Sequence, residues 1–469
     1  MGTDLSVKTF RYGGIHPPYY KVSTAAKSIV QSTLPREIYI PLSQHIGVPS
    51  KPLVKVGEHV RTGQKIGDAA DHAPSASIHA SVTGKVIAIE RRPHFTGFSV
   101  PSIVIRPDPE QEEVVFKGHP DFSGLSPDEI RGIVRDAGIV GMGGATFPTH
   151  LKLSPPDDRV IESIIINGCE CEPFLSCDHR SMVERTGDLI TGIRIILHTL
   201  RAQHAYIGIE VNKMDALEAV SNAVAHEGAM TVVPLAVKYP EGGEKQLIQA
   251  ILGREVPLRK LPWEVGVLVF NIQTTIAIAD AVVQGRPLFE RVVTLSGPLL
   301  KKTKNFSVRI GTPIRHLIDQ CGGFKENPEK YIHAGHMRYD TKVLRLVFKG
   351  EFAKVIMGGP MTGFAQPDLL APVVKGTSGV LAFPESMIPT EMTRPCLKCG
   401  KCNAACPMLL MPSLMGVYVE RRKIGAAGDC GILDCIECGC CAYVCPAHRP
   451  LIQLMRIGKG RIFSRRKAK

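Results

Sequence analysis

Between residues 31 and 118 apolar and polar positions alternate over short runs that glycine interrupts. Examples are Val54-Lys55-Val56-Gly57-Glu58-His59-Val60-Arg61-Thr62-Gly63-Gln64 and Ala80-Ser81-Val82-Thr83-Gly84-Lys85-Val86. A period of two puts every second side chain on one face, so this stretch predicts an all-β domain. From 119 to 285 the pattern changes. Strand-like runs at Val160–Ile166, Ala205–Val211, Thr231–Val237 and Val265–Phe270 are separated by helical stretches such as Met182–Arg201 and Asp215–Ala225. That alternation predicts an α/β domain of nucleotide-binding layout. Ser126-Pro127-Asp128-Glu129 opens a helix running to Gly138, with Ser as N-cap, Pro in the first helical position and acids in the first turn. Pro412–Gly428 predicts a further helix, with Leu414, Val417 and Val419 among basic residues.

The length, 469 residues, suits about three or four domains. With 44% apolar residues and a mean hydropathy near zero, the chain can bury ordinary cores. No run of apolar residues is long enough for a membrane span; the closest, Val265–Val283, is broken by Asn271, Gln273 and Asp280. Nor does the N-terminus show the basic start and apolar run of a signal peptide, so a cytoplasmic location is expected. The net charge of +13 is partly local, at Arg421, Arg422 and Lys423 and again at Lys459, Arg461, Arg465, Arg466, Lys467 and Lys469. A basic surface attracts acidic proteins, anionic lipid or nucleic acid alike. No zinc-finger or single-strand-binding pattern accompanies it, so no nucleic-acid partner is expected.

In a reducing compartment, fourteen cysteines point to metal ligands or free thiols rather than disulfides. Eight of them form two copies of one run. Cys396, Cys399, Cys402 and Cys406 precede Pro407; Cys435, Cys438, Cys441 and Cys445 precede Pro446. Gaps of two, two and three residues closed by Pro are the bacterial ferredoxin pattern for [4Fe–4S] clusters, in which the fourth Cys ligates the other cluster. Two-residue gaps let three thiolates converge on one corner of a cubane. The expected wiring is therefore crossed: Cys396, Cys399, Cys402 and Cys445 hold one cluster; Cys435, Cys438, Cys441 and Cys406 hold the other. Paired zinc sites would account for neither the third Cys nor the Cys-Pro step. Cys430 and Cys440 fall outside the pattern and read as small buried thiols.

Three polar or glycine-rich loops punctuate the α/β region. Gly141-Met142-Gly143-Gly144-Ala145-Thr146-Phe147-Pro148-Thr149-His150-Leu151-Lys152 lets backbone amides approach a phosphate or a flavin ring, with Lys152 placed to meet a phosphate; a ligand-free glycine turn fits equally. Asn167-Gly168-Cys169-Glu170-Cys171-Glu172-Pro173 follows a strand, where α/β proteins bind ligands. Tyr239-Pro240-Glu241-Gly242-Gly243-Glu244-Lys245 opens a helix whose N-terminus favours an anion. Cys169, Cys171 and Cys177 lack a nearby fourth partner, so packing is expected of them rather than a third metal site.

Together these loops resemble the flavin- and NADH-binding subunit of respiratory complex I. The resemblance implies an FMN site made by Gly141, Gly143, Gly144, Lys152, Asn167, Glu170, Gly242, Asn271 and Thr274, and an NADH site made by Phe147, Glu172 and Glu244. Two positions depart from that family: Cys169 stands for its Asp and Gly243 for a Glu. The all-β stretch resembles the lipoyl and biotinyl carrier domains, a barrel–sandwich hybrid. No Lys lies between Lys65 and Lys85 to carry a swinging arm, which leaves a structural or docking role. Arg291-Val292-Val293-Thr294-Leu295-Ser296-Gly297, Ile310-Gly311-Thr312-Pro313 and Cys321-Gly322-Gly323 resemble the β-grasp (SLBB-like) module that follows the flavin domain in that subunit.

With Phe10-Arg11-Tyr12-Gly13-Gly14-Ile15-His16-Pro17-Pro18, the carrier-like domain and the double cysteine run, nearly the whole chain is similar to the C-type subunit of the Rnf electron transport complex. The fold expected is multidomain α/β and α+β. An N-terminal segment (1–30) precedes a barrel–sandwich hybrid (31–118), an α/β FMN/NADH-binding domain (119–285) and a β-grasp module (286–360). A linker (361–395), an α-helical two-cluster ferredoxin module (396–458) and a basic tail (459–469) follow. The resemblance implies two [4Fe–4S] clusters, FMN, and NAD(H) as substrate. Its implied partners are the other subunits of a membrane complex, with ferredoxin engaged through one of them, and a peripheral place on the cytoplasmic side of the inner membrane. A flavin and iron–sulfur cobalamin reductase of a bacterial microcompartment, or a non-catalytic scaffold subunit, are the alternatives.

Overall fold

The computed structural model describes residues 6–71, 73–325, 354–387 and 393–467. Residues 326–353 of the expected β-grasp module lie outside the described residues, as does the end of the basic tail.

The all-β region forms two sheets over one core. One carries Ile38–Pro41, Ser99–Pro107, Gly84–Pro93 and His59–Val60; the other carries Lys51–Pro52, Lys65–Asp68 and Ile78–His79. Ile38, Ile40, Val60, Ile66, Ile78, Val86, Ile103 and Ile105 fill the space between them, as the alternating pattern requires. The loop after Ile38–Pro41 rests on the glycine loop: Ile46 N donates to Thr146 O (3.2 Å).

The α/β domain is built on a parallel sheet in the spatial order Met230–Leu235, His204–Glu210, Ser163–Gly168, Val267–Asn271. Its strands are apolar nearly throughout because helices cover both faces. The helix at Pro127–Asp136 has the expected capping box, Ser126 and Glu129 bonding each other's backbone amides. The single helix expected over Met182–Arg201 is two, Cys177–Glu184 and Thr186–Leu200. They break at Arg185 (φ −129°, ψ 36°), whose guanidinium is held by Asp188 and Asp280. Likewise Pro412–Gly428 divides into Pro412–Glu420 and Ile424–Asp429.

A six-stranded mixed sheet joins distant parts of the chain in the order Ile29–Gln31, Lys304–Arg309, Glu290–Ser296, Gly379–Phe383, Lys354–Met357, Phe364–Ala365. The described residues 361–387 of the expected linker (361–395) are therefore not a free linker, while 388–392 lie outside the described residues. Gly379–Phe383 is buried at every position and lies inside the sheet, parallel to Glu290–Ser296 and antiparallel to Lys354–Met357. Just before Gly379–Phe383 comes Lys375, 1% exposed, whose Nζ donates to Ser77 O (2.7 Å) and Gly138 O (2.6 Å). Its own carbonyl accepts from Arg291 Nη1 (2.6 Å) and its amide donates to Gln44. One side chain thus ties three units together. Burial pulls its ammonium pKa down to about 7.

Candidate functional site

The parallel sheet reverses direction of growth at Ser163–Gly168: the next two strands lie to one side and Val267–Asn271 to the other. Crevices at such reversals, at the carboxyl ends of the strands, are where α/β sheets bind ligands. The register sets Asn167 directly opposite Asn271 at that edge. Asn271 caps the helix Ile272–Gln284, its Oδ1 accepting from the amides of Gln273 (3.0 Å) and Thr274 (3.3 Å). Thr274 Oγ1 accepts from Met142 N (2.8 Å), which pins the glycine loop to the same helix start. A methyl on Gly143 would lie 3.4 Å from the Asn271 side chain. From the other side, Asn167 Nδ2 donates to Gly242 O (2.8 Å) and Lys152 Nζ pairs with Glu244 Oε1 (2.8 Å). All three loops therefore meet at one crevice. Gly143, Gly144 and Ala145 are exposed there, and nothing lies within 4 Å of where a Cβ on Gly144 would sit. That is the open backbone cradle a flavin or phosphate requires. Phe147 is half-buried at the end of the same loop, its carbonyl accepting from Gly141 N (2.9 Å).

Two acids expected in the site are committed elsewhere. Glu170, with a side chain 3% exposed, accepts from the amides of Asp178 (2.8 Å) and His179 (3.2 Å) and caps the helix Cys177–Glu184. Glu172 accepts from the amides of Met361 and Thr362 (2.9 Å each) and from Thr362 Oγ1 (2.5 Å). It thereby holds the turn that follows Gly359. Asp178 was not legible in the sequence. It accepts from Asn271 Nδ2 (2.7 Å) and Gln273 Nε2 (2.9 Å), and burial, then the charge of Glu170, push its pKa up to about 6. Cys169 and Cys177 are buried, and burial raises both thiols; their surroundings are apolar residues and ion pairs, in keeping with packing. Glu170, Cys177 and Asp178 do lie close together, but the hydrogen bonds just described occupy both carboxylates.

In the cysteine-rich module the two runs have the same backbone. Lys398 and Glu437 (φ +54° and +56°), Gly400 and Gly439 (+75° and +88°), and Leu409 and His448 (+54° and +49°) take left-handed conformations at matching positions. These turns aim amides at the sulfurs: Lys398 N, Glu437 N and Leu410 N lie 3.4 Å from the Sγ atoms of Cys396, Cys435 and Cys406. Cys406 leaves its own run to line one pocket with Cys435, Cys438 and Cys441, among Pro407, Leu410 and Met415. Cys445 packs with Cys402, while Cys396 is half-buried and Cys399 exposed. Burial raises the thiols of Cys406, Cys441 and Cys435, the last to about 11. Thiolates in that pocket therefore need a cationic partner, and the donor set of soft sulfurs ringed by amides fits an iron–sulfur cubane.

A flavin-type cradle at the switch point of a parallel sheet, joined to a two-run cysteine module, defines an iron–sulfur flavoprotein of the kind that passes electrons from a nicotinamide. Family comparisons agree. The chain matches the Nuo51 FMN-binding domain over residues 134–280, the RnfC barrel sandwich hybrid domain over 8–110, the SLBB domain over 292–339 and the 4Fe-4S dicluster domain over 388–446. It is 43% identical over 455 residues to the C component of the proton-translocating ferredoxin:NAD(+) oxidoreductase complex of Clostridium ljungdahlii, covering 96% of this chain and 93% of that one. It is 40% identical to the Na(+)-translocating counterpart of Acetobacterium woodii, over 98% of each chain. To the C component of the ion-translocating oxidoreductase complex of Rhodobacter capsulatus it is 38% identical, over 97% of this chain and 84% of that one. The chain belongs to the RnfC family, the C components of ion-translocating ferredoxin:NAD(+) oxidoreductase complexes.

Proposed function

We propose that this subunit exchanges electrons between NAD(H) and the ferredoxin side of its complex through FMN and two [4Fe–4S] clusters. The observation that carries the reading is the meeting of the glycine loop, Asn167, Gly242 and the Asn271 helix start at one sheet edge, beside the cysteine module. The backbone of Gly141, Gly143, Gly144 and Gly242, with Asn167, Asn271 and Thr274, would hold FMN. Lys152 would exchange its Glu244 partner for the flavin phosphate. Glu170 braces this site from behind. Phe147 and Glu244 would face the dinucleotide, and Glu172 would act on it indirectly by fixing the 359–362 turn. The clusters take the crossed ligand sets, Cys396, Cys399, Cys402 and Cys445 for one and Cys435, Cys438, Cys441 and Cys406 for the other. When bound, the flavin would supply the change from a two-electron donor to single electrons; oxidation of NADH to NAD+ would yield two electrons for the cofactors these residues hold and one proton for solvent.

No helix among the described residues is long and apolar enough to cross a membrane. The subunit is peripheral to the complex, and we place it on the cytoplasmic side, where NADH and ferredoxin are. Identity over nearly the full length of the Rnf relatives sets aside the cobalamin reductase, and eight cluster cysteines set aside the scaffold. The test is anaerobic purification with flavin and iron counts, followed by NADH bleaching of the flavin. Lys152→Ala should lower flavin affinity by about 1–3 kcal/mol, roughly five- to 150-fold. Full flavin retention in that variant would refute the assignment of the phosphate to Lys152.

A further inference from the structure

The N-terminal segment that marks the sequence has no part in the chemistry above, yet it is built into the molecule. Phe10, 1% exposed, sits in the core of the flavin domain with Leu235, Leu247 and Val269. Lys8 pairs with Leu235 and Ile15 with Tyr239 as β-bridges, and Lys238 Nζ lies 3.9 Å from the centre of the Phe10 ring. The other face of the segment lies on the cysteine module. Gly14 N donates to Ala405 O (3.0 Å), and a methyl on Gly13 (φ +66°) would come within 2.6 Å of the Cys406 backbone. Tyr239, 3% exposed at the head of the third flavin loop, sends its hydroxyl across the same junction to Cys438 O (2.7 Å). Cys440 packs with Tyr239, Ile15 and Ala405, with Cys171 against them. Gln246 Nε2 reaches Pro407 O (3.4 Å), and Gly439 lies against Met361 of the turn held by Glu172. These bonds reach Ala405–Pro407 and Cys438, both around the pocket lined by Cys406, Cys435, Cys438 and Cys441. None of them reaches the loop of Cys396, Cys399 and Cys402, whose middle cysteine is exposed.

We infer that residues 8–15 and Tyr239 form a clamp holding the Cys406–Cys435–Cys438–Cys441 site against the flavin loops, so that electrons pass between the flavin and the Cys396–Cys399–Cys402–Cys445 site by way of it. The inference rests on the flavin and cluster sites proposed above. Tyr239 and Gly13 are positioning residues in this scheme: they touch the backbone of the cluster loops. Each passage moves one electron, reducing one cubane and oxidising the flavin by the same amount.

The experiment uses anaerobically purified protein and electron paramagnetic resonance. In Cys399→Ser, NADH should still generate the signal of the remaining cluster. In Cys438→Ser, the remaining cluster should lose its NADH-dependent signal while dithionite still produces it. A remaining cluster in Cys438→Ser that NADH reduces as in the parent protein overturns the order. Tyr239→Phe keeps every ligand and guards against misfolding of the serine variants. It should retain full iron and flavin, bleach its flavin with NADH at the parent rate, and reduce its clusters more slowly, with Gly13→Ala slower still. Cluster reduction at the parent rate in both overturns the clamp. A parent protein whose clusters respond to dithionite while NADH leaves its flavin oxidised overturns the NADH reading itself, an outcome distinct from the other two.

Discussion

Lys375→Met replaces an amine that bridges the barrel–sandwich hybrid and the flavin domain with an apolar chain of similar length. In the folded protein the amine has a pKa of about 7, against 10.5 for an ordinary lysine, because burial strips water from its charged form. Between those two values the unfolded chain carries a proton that the folded chain lacks, so stability rises with pH across that window. Well below pH 7 both states are protonated, and the folded state bears about 5 kcal/mol of burial cost. The methionine variant has no such cost but leaves Ser77 O and Gly138 O without donors, about 1–3 kcal/mol each at any pH. The two proteins should therefore be nearly equal in stability at about pH 6, and the parent should gain about 3 kcal/mol on the variant between about pH 7 and 9. Denaturant unfolding can be followed by the emission of Trp263, the single tryptophan, which packs on the flavin-domain core. A stability gap that stays constant across that range would refute the reasoning and leave Lys375 a permanently charged hydrogen-bond donor.

Cys406→Ser should disturb the cluster held by Cys435, Cys438 and Cys441 and spare the one nearer its own run, lowering iron from about eight atoms per chain to about four; iron analysis with paramagnetic resonance checks it. Flavin retention should fall as pH drops through about 6, where Asp178 takes up a proton and loses acceptor capacity for Asn271 and Gln273. Asp178→Asn should abolish that step in a fluorescence titration. Arg422, Arg461 and Arg465 border a groove with Ile424 and Ile457, so attachment through charge and partner subunits predicts release from membranes by high salt more readily than by detergent. Retention on salt-washed membranes that lack the partner subunits would count against it.

The parts of this protein legible in its sequence are those whose chemistry dictates spacing. A cubane needs thiolates two and three residues apart, and a flavin cradle needs glycines where a Cβ would intrude, so both stood out. The capping box at Ser126 was equally local. What the sequence hid depends on partners far along the chain. Glu170 and Glu172 sit in a loop of the right composition, yet neighbouring backbone amides claim their carboxylates. The stretch 361–395 is expected from the sequence as a linker, yet its strand Gly379–Phe383 is fixed by neighbours on both sides. Nothing near Lys375 in sequence announces Ser77 and Gly138 as its acceptors. The break at Arg185 likewise answers to Asp280, across the domain.

The place of Gly379–Phe383 inside the six-stranded sheet bears on how the chain is made. Strands at both its flanks are synthesised before it, so Glu290–Ser296 must wait with one edge bare until the ribosome has passed residue 383. An uncapped apolar edge is a template for pairing with another chain. Nascent chains should therefore be most prone to self-association between emergence of the flavin domain and arrival of this strand. Fragments ending near residue 360 would keep that hazard permanently, whereas termination after the strand removes it.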